Sequence, residues 1–193
     1  MGAIVGLLAD RAKRHRGMQV MLLVPLLVAA EGSVADLPRG AEVTVARTAA
    51  AGTDIERALA GAPAIGPVGS RLLRMKFPKP VRADGTGLDV GATRRITFTP
   101  RTSLGIGARP EPRTMELRVV RREPGRVVFA VTRDTTLARW LEFEEAEFAW
   151  RGARLSVTLR YTRTFDPSWY FGPVQRYAMG EAAAYLADTF TAP

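Results

Sequence analysis

Arg154-Leu155-Ser156-Val157-Thr158-Leu159-Arg160-Tyr161 is the stretch on which the fold turns. Successive side chains of a β-strand point to opposite faces of the sheet. Leu155, Val157, Leu159 and Tyr161 therefore share one face, and Arg154, Ser156, Thr158 and Arg160 share the other. One apolar face and one polar face is the signature of an antiparallel sheet covered on a single side.

The cover comes next in the chain. Asp166-Pro167 reads as a helix start, with Asp as N-cap and Pro at the first position. Gly172-Pro173 predicts a restart, because Pro is tolerated only in a first turn. Beyond it Val174, Tyr177, Ala178, Ala182, Tyr185 and Leu186 recur at three- and four-residue spacing, an amphipathic stripe running to about Phe190.

Working back from the key strand, the same period of two recurs at Trp140–Trp150, at Arg126–Arg133 and at Met115–Arg121. It recurs again at Arg94–Thr99, which puts Ile96 and Phe98 on one face, and at Glu42–Thr48 around Val43 and Val45. Glu123-Pro124-Gly125 makes the second and third of these a hairpin. Thr53 followed by Glu56 has the form of a capping box and predicts a short helix from that point. A second short helix is expected over Val68–Met75, and Pro78 and Pro80 close that section. The order is strand, two short helices, about five strands, long helix. That segregation is α+β, with a curved antiparallel sheet of about six strands gripping the C-terminal helix.

Three stretches carry a resemblance to a known family: Phe77-Pro78-Lys79-Pro80-Val81, Gly85-Thr86-Gly87-Leu88-Asp89-Val90-Gly91-Ala92, and Asp166-Pro167-Ser168-Trp169-Tyr170-Phe171-Gly172-Pro173. With the element order over residues 41–190, the chain resembles the bacterial START-like, or SRPBCC, superfamily of helix-grip domains. The group it looks like is labelled polyketide cyclase/dehydrase and lipid transport. The resemblance implies an internal cavity between sheet and helix. It does not choose an activity, since the fold hosts binding proteins, lipid carriers and cyclases alike.

Composition excludes much of the remaining chemistry. The chain has no Cys and one His, His15, near the N-terminus. Disulfides, thiolate nucleophiles, Ser-His-Asp triads and multi-His or Cys metal sites are thereby ruled out for residues 41–193. No metal and no cofactor is expected. Of 28 basic and 19 acidic residues, five and three fall in the first 40, leaving the rest at about +7. The basic groups are scattered and no nucleic-acid motif accompanies them, so no specific nucleic-acid partner is expected.

Residues 1–40 read as an appendage to a domain over 41–193. A basic cluster from Arg11 to Arg16 precedes the uncharged run at 17–30. At 14 residues the run is short for a spanning helix, which needs about 20. Three readings stay open: a signal peptide cut near Ser33-Val34-Ala35, a membrane anchor with the cluster on the cytoplasmic side, and a helix packed against the domain or a partner. The apolar start from Met1 to Ala9 favours membrane attachment, with cytoplasmic or secreted locations as the alternatives.

Several residues are candidates for function. The cavity is expected to be lined by Phe98, Leu117, Val119, Val157, Leu159 and Tyr161 from the sheet and by Val174, Tyr177 and Ala178 from the helix. Its expected volume is about 300 Å³ or more. Glu142, Glu144, Glu145 and Glu147 share one strand, and a carboxylate turned inward would become a usable acid through desolvation. The alternative is a solvated face balanced by arginines. Glu144 and Arg163 are the candidate polar anchors, Arg163 with a structural ion pair to Asp166 or Asp134 as its alternative. The glycines at 85, 87 and 91 lead into a strand, which fits turn glycines with positive φ better than a phosphate cradle. The function expected is binding of an apolar or amphipathic, lipid- or polyketide-like small molecule. A cyclase or dehydratase using a cavity carboxylate or Tyr is the first alternative, and a membrane-associated accessory or interaction protein is the second.

Overall fold

The computed structural model describes residues 39–75, 77–101, 111–138, 140–165 and 168–192. The apolar run at 17–30 and the helix start at Asp166-Pro167 lie outside the described residues. From Arg39 onward the chain forms one compact unit.

The strands are β1 (Gly40–Thr48), β2 (Pro80–Asp84), β3 (Thr93–Arg101), β4 (Glu111–Glu123), β5 (Arg126–Asp134), β6 (Leu141–Arg151) and β7 (Arg154–Arg163). The helices are α1 (Ile55–Ala60), α2 (Arg71–Met75) and α3 (Ser168–Thr191). All strand pairs are antiparallel, in the order β1-β7-β6-β5-β4-β3-β2. The sheet is thus a meander from β2 to β7, with β1 added on the far side of β7. Because β1 and β2 are opposite edges, the segment bearing α1 and α2 must cross from one edge to the other. Together with α3 it closes the concave side of a curled half-barrel, in the manner of a helix grip.

The sheet has seven strands rather than six. The extra one is β2, at the place where Pro78 and Pro80 were expected to end regular structure. Pro80 is its first residue and the strand is an edge, the two positions where a missing N–H costs no ladder bond. The cap of α1 also differs by one residue. Asp54, not Thr53, is the N-cap, and its carboxylate accepts from the Arg57 amide at 3.0 Å. Glu56 is drawn away to pair with Arg122 instead of reaching back to the cap.

The concave face is built from the alternation read in β7. Leu155, Val157, Leu159 and Tyr161 are all at most 1% exposed. Val157 stands beside Val45 and Leu159 beside Val43 of β1. The outer face carries a charge network in which Glu147 accepts from Arg126 and Arg160, each at 3.0 Å, and Glu145 accepts from Arg160 at 3.2 Å.

Helix α3 is continuous from Ser168, so no restart occurs at Pro173. Its buried line is Gln175, Met179, Ala183, Ala187 and Phe190; Ala178, Ala182, Tyr185 and Leu186 of the expected stripe flank that line on the inward side, while Val174 and Tyr177 do not. Ala183 and Ala187 are fully buried and let the helix axis approach β1 and β7 closely. The Phe190 ring meets Phe148 edge-on at 5.5 Å, fixing the last turn against β6. Near the helix start, Gln175 Nε2 donates to the Trp140 carbonyl at 2.7 Å.

Candidate functional site: an apolar cavity with one buried cation

Between the sheet, α3 and the crossing segment lies a cavity of about 190 Å³. That is smaller than the roughly 300 Å³ expected from the sequence, yet many times the space a water molecule needs. The physical reason is that large side chains fill the concavity. Met115, Phe129, Phe143, Phe148, Met179 and Phe190 all point into it and leave only the space between them.

Each structural layer supplies part of the wall. β3 contributes Arg94, Ile96 and Phe98, β4 contributes Met115 and Leu117, and β6 contributes Phe143, Ala146 and Phe148. The crossing segment adds Leu59, Ile65, Val68, Leu73 and Phe77, and α3 adds Met179, Ala182, Tyr185, Leu186, Thr189 and Phe190. The Tyr185 hydroxyl donates to the Gly66 carbonyl, and Thr189 donates to the Tyr185 carbonyl at 2.8 Å. Burial raises the Tyr185 pKa, so the phenol is neutral at physiological pH.

Among the nine residues expected to line the cavity, Phe98, Leu117 and Leu159 stand in its wall. Val119, Val157 and Tyr161 lie on the inward side of the sheet but are packed solid beneath neighbouring side chains. Ala178 is buried outside the wall. Val174 and Tyr177 are 54% and 59% exposed and cannot line an internal space. They are corrected to the solvent side of α3, since a rotation that buries Met179, Ala183 and Ala187 carries residues 174 and 177 outward.

The two expected polar anchors are also elsewhere. Glu144 sits at a register shift in β6, where Phe143 faces Tyr161 but Glu145 already faces Arg160. This bulge lets Phe143 and Ala146 both point inward while Glu144 and Glu145 point out. The Glu144 carboxylate accepts from the Thr162 hydroxyl on the outer side. Arg163 donates to the Arg39 carbonyl at 3.5 Å and is no part of the wall. Asp134, its possible partner, instead accepts from the amides of Thr136 and Leu137. No carboxylate among the described residues lines the cavity. Glu147, the most enclosed of the four, is held below the usual range by the hydrogen bond from Arg126, against an opposing push from burial.

The charged group that stands in the wall, among the described residues, is Arg94, 6% exposed. A signal for it was present in the strand itself. Arg94, Ile96 and Phe98 are spaced by two, so a charged residue shares the face of two apolar ones. Burial lowers its pKa, but an arginine has so large a margin that it stays protonated.

No known family model and no curated protein sequence matches the chain. Solved structures match at low identity. Ginseng major latex-like protein 151 from Panax ginseng is 14% identical, with 74% of this chain and 96% of that one aligned at a TM-score of 0.38. A Chromobacterium violaceum protein is 15% identical over 77% of this chain and 98% of its own, at a TM-score of 0.39. A Nitrosospira multiformis protein is 11% identical over 77% and 96%, at 0.35. What the cavity can hold follows from its own residues.

Proposed function

We propose that the domain binds an apolar or amphipathic small molecule in the cavity between its sheet and α3. The observation that carries this reading is the wall itself, which among the described residues is a continuous apolar surface interrupted only by Arg94 and by the polar groups of Tyr185 and Thr189. A guest in apolar space of this size would gain dispersion contacts on every side. Pockets that bind small molecules combine such a lining with a few polar groups that fix orientation. The volume favours a slender guest over a bulky polycyclic one. A cyclase reading would have to draw its acid from the phenol of Tyr185, since all four glutamates of β6 are outside the wall.

Native mass spectrometry of the purified protein tests the proposal. A co-purifying apolar species, or uptake of an added one such as 1-octanol at one per chain, is the expected result. A chain that stays unliganded through a series of alkanols from butanol to decanol would overturn it. For the run at 17–30, we propose membrane attachment on the strength of its uncharged composition. The full chain should then sediment with membranes and be released by detergent, and recovery in the supernatant without detergent would remove the basis for it.

A further inference from the structure

Arg94 has more hydrogen-bonding capacity than the fold uses. Its Nη2 donates to the carbonyls of Gly87 at 2.8 Å, Leu59 at 3.1 Å and Ala60 at 3.3 Å. These contacts tie the end of α1 and the β2–β3 connection to β3, and they are a sufficient structural reason for one nitrogen. They explain nothing about the other. Nη1 is buried and has no hydrogen-bond partner. No carboxylate among the described residues forms an ion pair with this side chain.

The position of the group relates this deficit to the cavity. Arg94 stands opposite Leu117 in the β3–β4 register, and both are in the wall. Its guanidinium carbon lies 5.9 Å from the centroid of Phe129, another wall residue. A buried cation without a counter-charge is costly, and a donor left unpaired adds the cost of its own desolvation. Carbonyl dipoles on Nη2 offset part of that, and the π-face of Phe129 a little more. Nη1 is left with two N–H groups that no acceptor in the fold meets, and a ligand reaches them once a neighbouring wall side chain gives way.

We propose that the cavity takes a monoanionic amphipathic ligand, a linear carboxylic acid, with its carboxylate seated on Nη1 of Arg94 and its alkyl chain along Ile96, Leu117 and Met179. The proposal rests on the reading of the cavity as a ligand site. A carboxylate supplies one negative charge and acceptors for both N–H groups, so charge and hydrogen bonds close together. A phosphate monoester would bring a second charge, for which the described residues of the wall hold no second cation. A neutral alcohol would leave the arginine uncompensated.

Calorimetric titration of the protein with octanoate, 1-octanol and octyl phosphate separates these cases. Octanoate is expected to bind about tenfold or more tightly than 1-octanol, the scale of a hydrogen bond to a charged group. In Arg94→Met that preference should vanish while 1-octanol binding persists. Arg94→Lys serves as the second variant if the methionine form does not fold. Its compact ammonium cannot hold three carbonyls and a ligand at once, and the preference should shrink. Octanol binding as tightly as octanoate in the unaltered protein would overturn the proposal and leave the cavity reading standing. So would octyl phosphate binding best. Failure of all three to bind would bring down the cavity reading, and the proposal with it.

Discussion

The Tyr185 hydroxyl donates across 3.0 Å to the carbonyl of Gly66, joining α3 to the segment that crosses the mouth of the half-barrel. Both sides of that bond belong to the closure of the cavity. Tyr185 is in the wall, and Gly66 follows Ile65, which is also in the wall. The bond therefore holds the roof to the helix at a point where the roof has no regular structure of its own.

Tyr185→Phe should cost about 1 kcal/mol, the usual net worth of one hydrogen bond, and should speed release of any bound apolar probe. It should also change the alkaline limb of stability. Burial raises the Tyr185 pKa, so the folded chain keeps a proton that the unfolded chain has lost. Stability is then unaffected below the unfolded value of about 10 and falls as the pH rises beyond it. Tyr161 acts in the same direction, its pKa also raised by burial. Urea titrations between pH 8 and 11 should show a shallower decline in the phenylalanine variant, and an unchanged slope would mean that the phenol is not buried in solution.

Ala146 offers a test of whether the cavity is real space. It is 2% exposed, stands in the wall, and faces Leu159 across the β6–β7 pair. In a void, the extra methyl and methine groups of Ala146→Leu find room, and filling it should raise stability by about 0.5–2 kcal/mol. In a solid core the same change would overpack and cost about 1–3 kcal/mol. The sign of the shift in melting temperature decides between them, and in the first case binding of 1-octanol should weaken about tenfold as its space is taken.

Why some of this was legible and some was not is a matter of which force sets each feature. The alternation from Leu155 to Tyr161 is one-sided, and burial of that side fixed both the strand and its need for a cover. Helix α3 has apolar residues nearly all the way round, with Val174 and Tyr177 on one side and Met179, Ala183 and Ala187 on the other. Its rotation is then decided by close approach to β1 and β7, where small alanines win over a tyrosine. The direction of Glu144 depends on a bulge, a property of the β6–β7 pairing and not of β6 alone. Arg94 was visible at the correct period-two position, but its meaning needed the carbonyls of Leu59, Ala60 and Gly87, which converge on it from two other segments.

On the outer face, Glu147 links Arg126 and Arg160, and its carboxyl is held below the ordinary value of 4.5, chiefly by the Arg126 hydrogen bond. A depressed folded pKa contributes stability that is fully present above the unfolded value and is lost as the pH falls through the folded one. Glu147→Gln keeps the shape but removes the charge. The variant should be less stable near pH 7 and should lose less on acidification, so the two proteins converge at low pH. Parallel acid limbs in urea titrations from pH 7 to 2 would remove Glu147 from the network's titration.

Gly85 tests how rigidly the β2–β3 connection is set. Its φ is +102°, and a Cβ there would lie 2.2 Å from the Thr93 carbonyl oxygen, a backbone atom that cannot step aside. Gly91, with φ of +96°, has open space around the same position. Ala at 91 should therefore cost about 1–2 kcal/mol for the backbone conformation alone. Ala at 85 carries that strain and the collision as well, for a total of at least about 3 kcal/mol. The difference has a second readout, because Gly87 lies between the two and its carbonyl is the closest acceptor for Arg94. Displacing that carbonyl frees Nη2, so any preference for octanoate over 1-octanol should change in Gly85→Ala and hold in Gly91→Ala. Equal costs for the two substitutions in denaturant melts would show that the connection yields at Gly85, and that it does not hold the Gly87 carbonyl rigidly against Arg94.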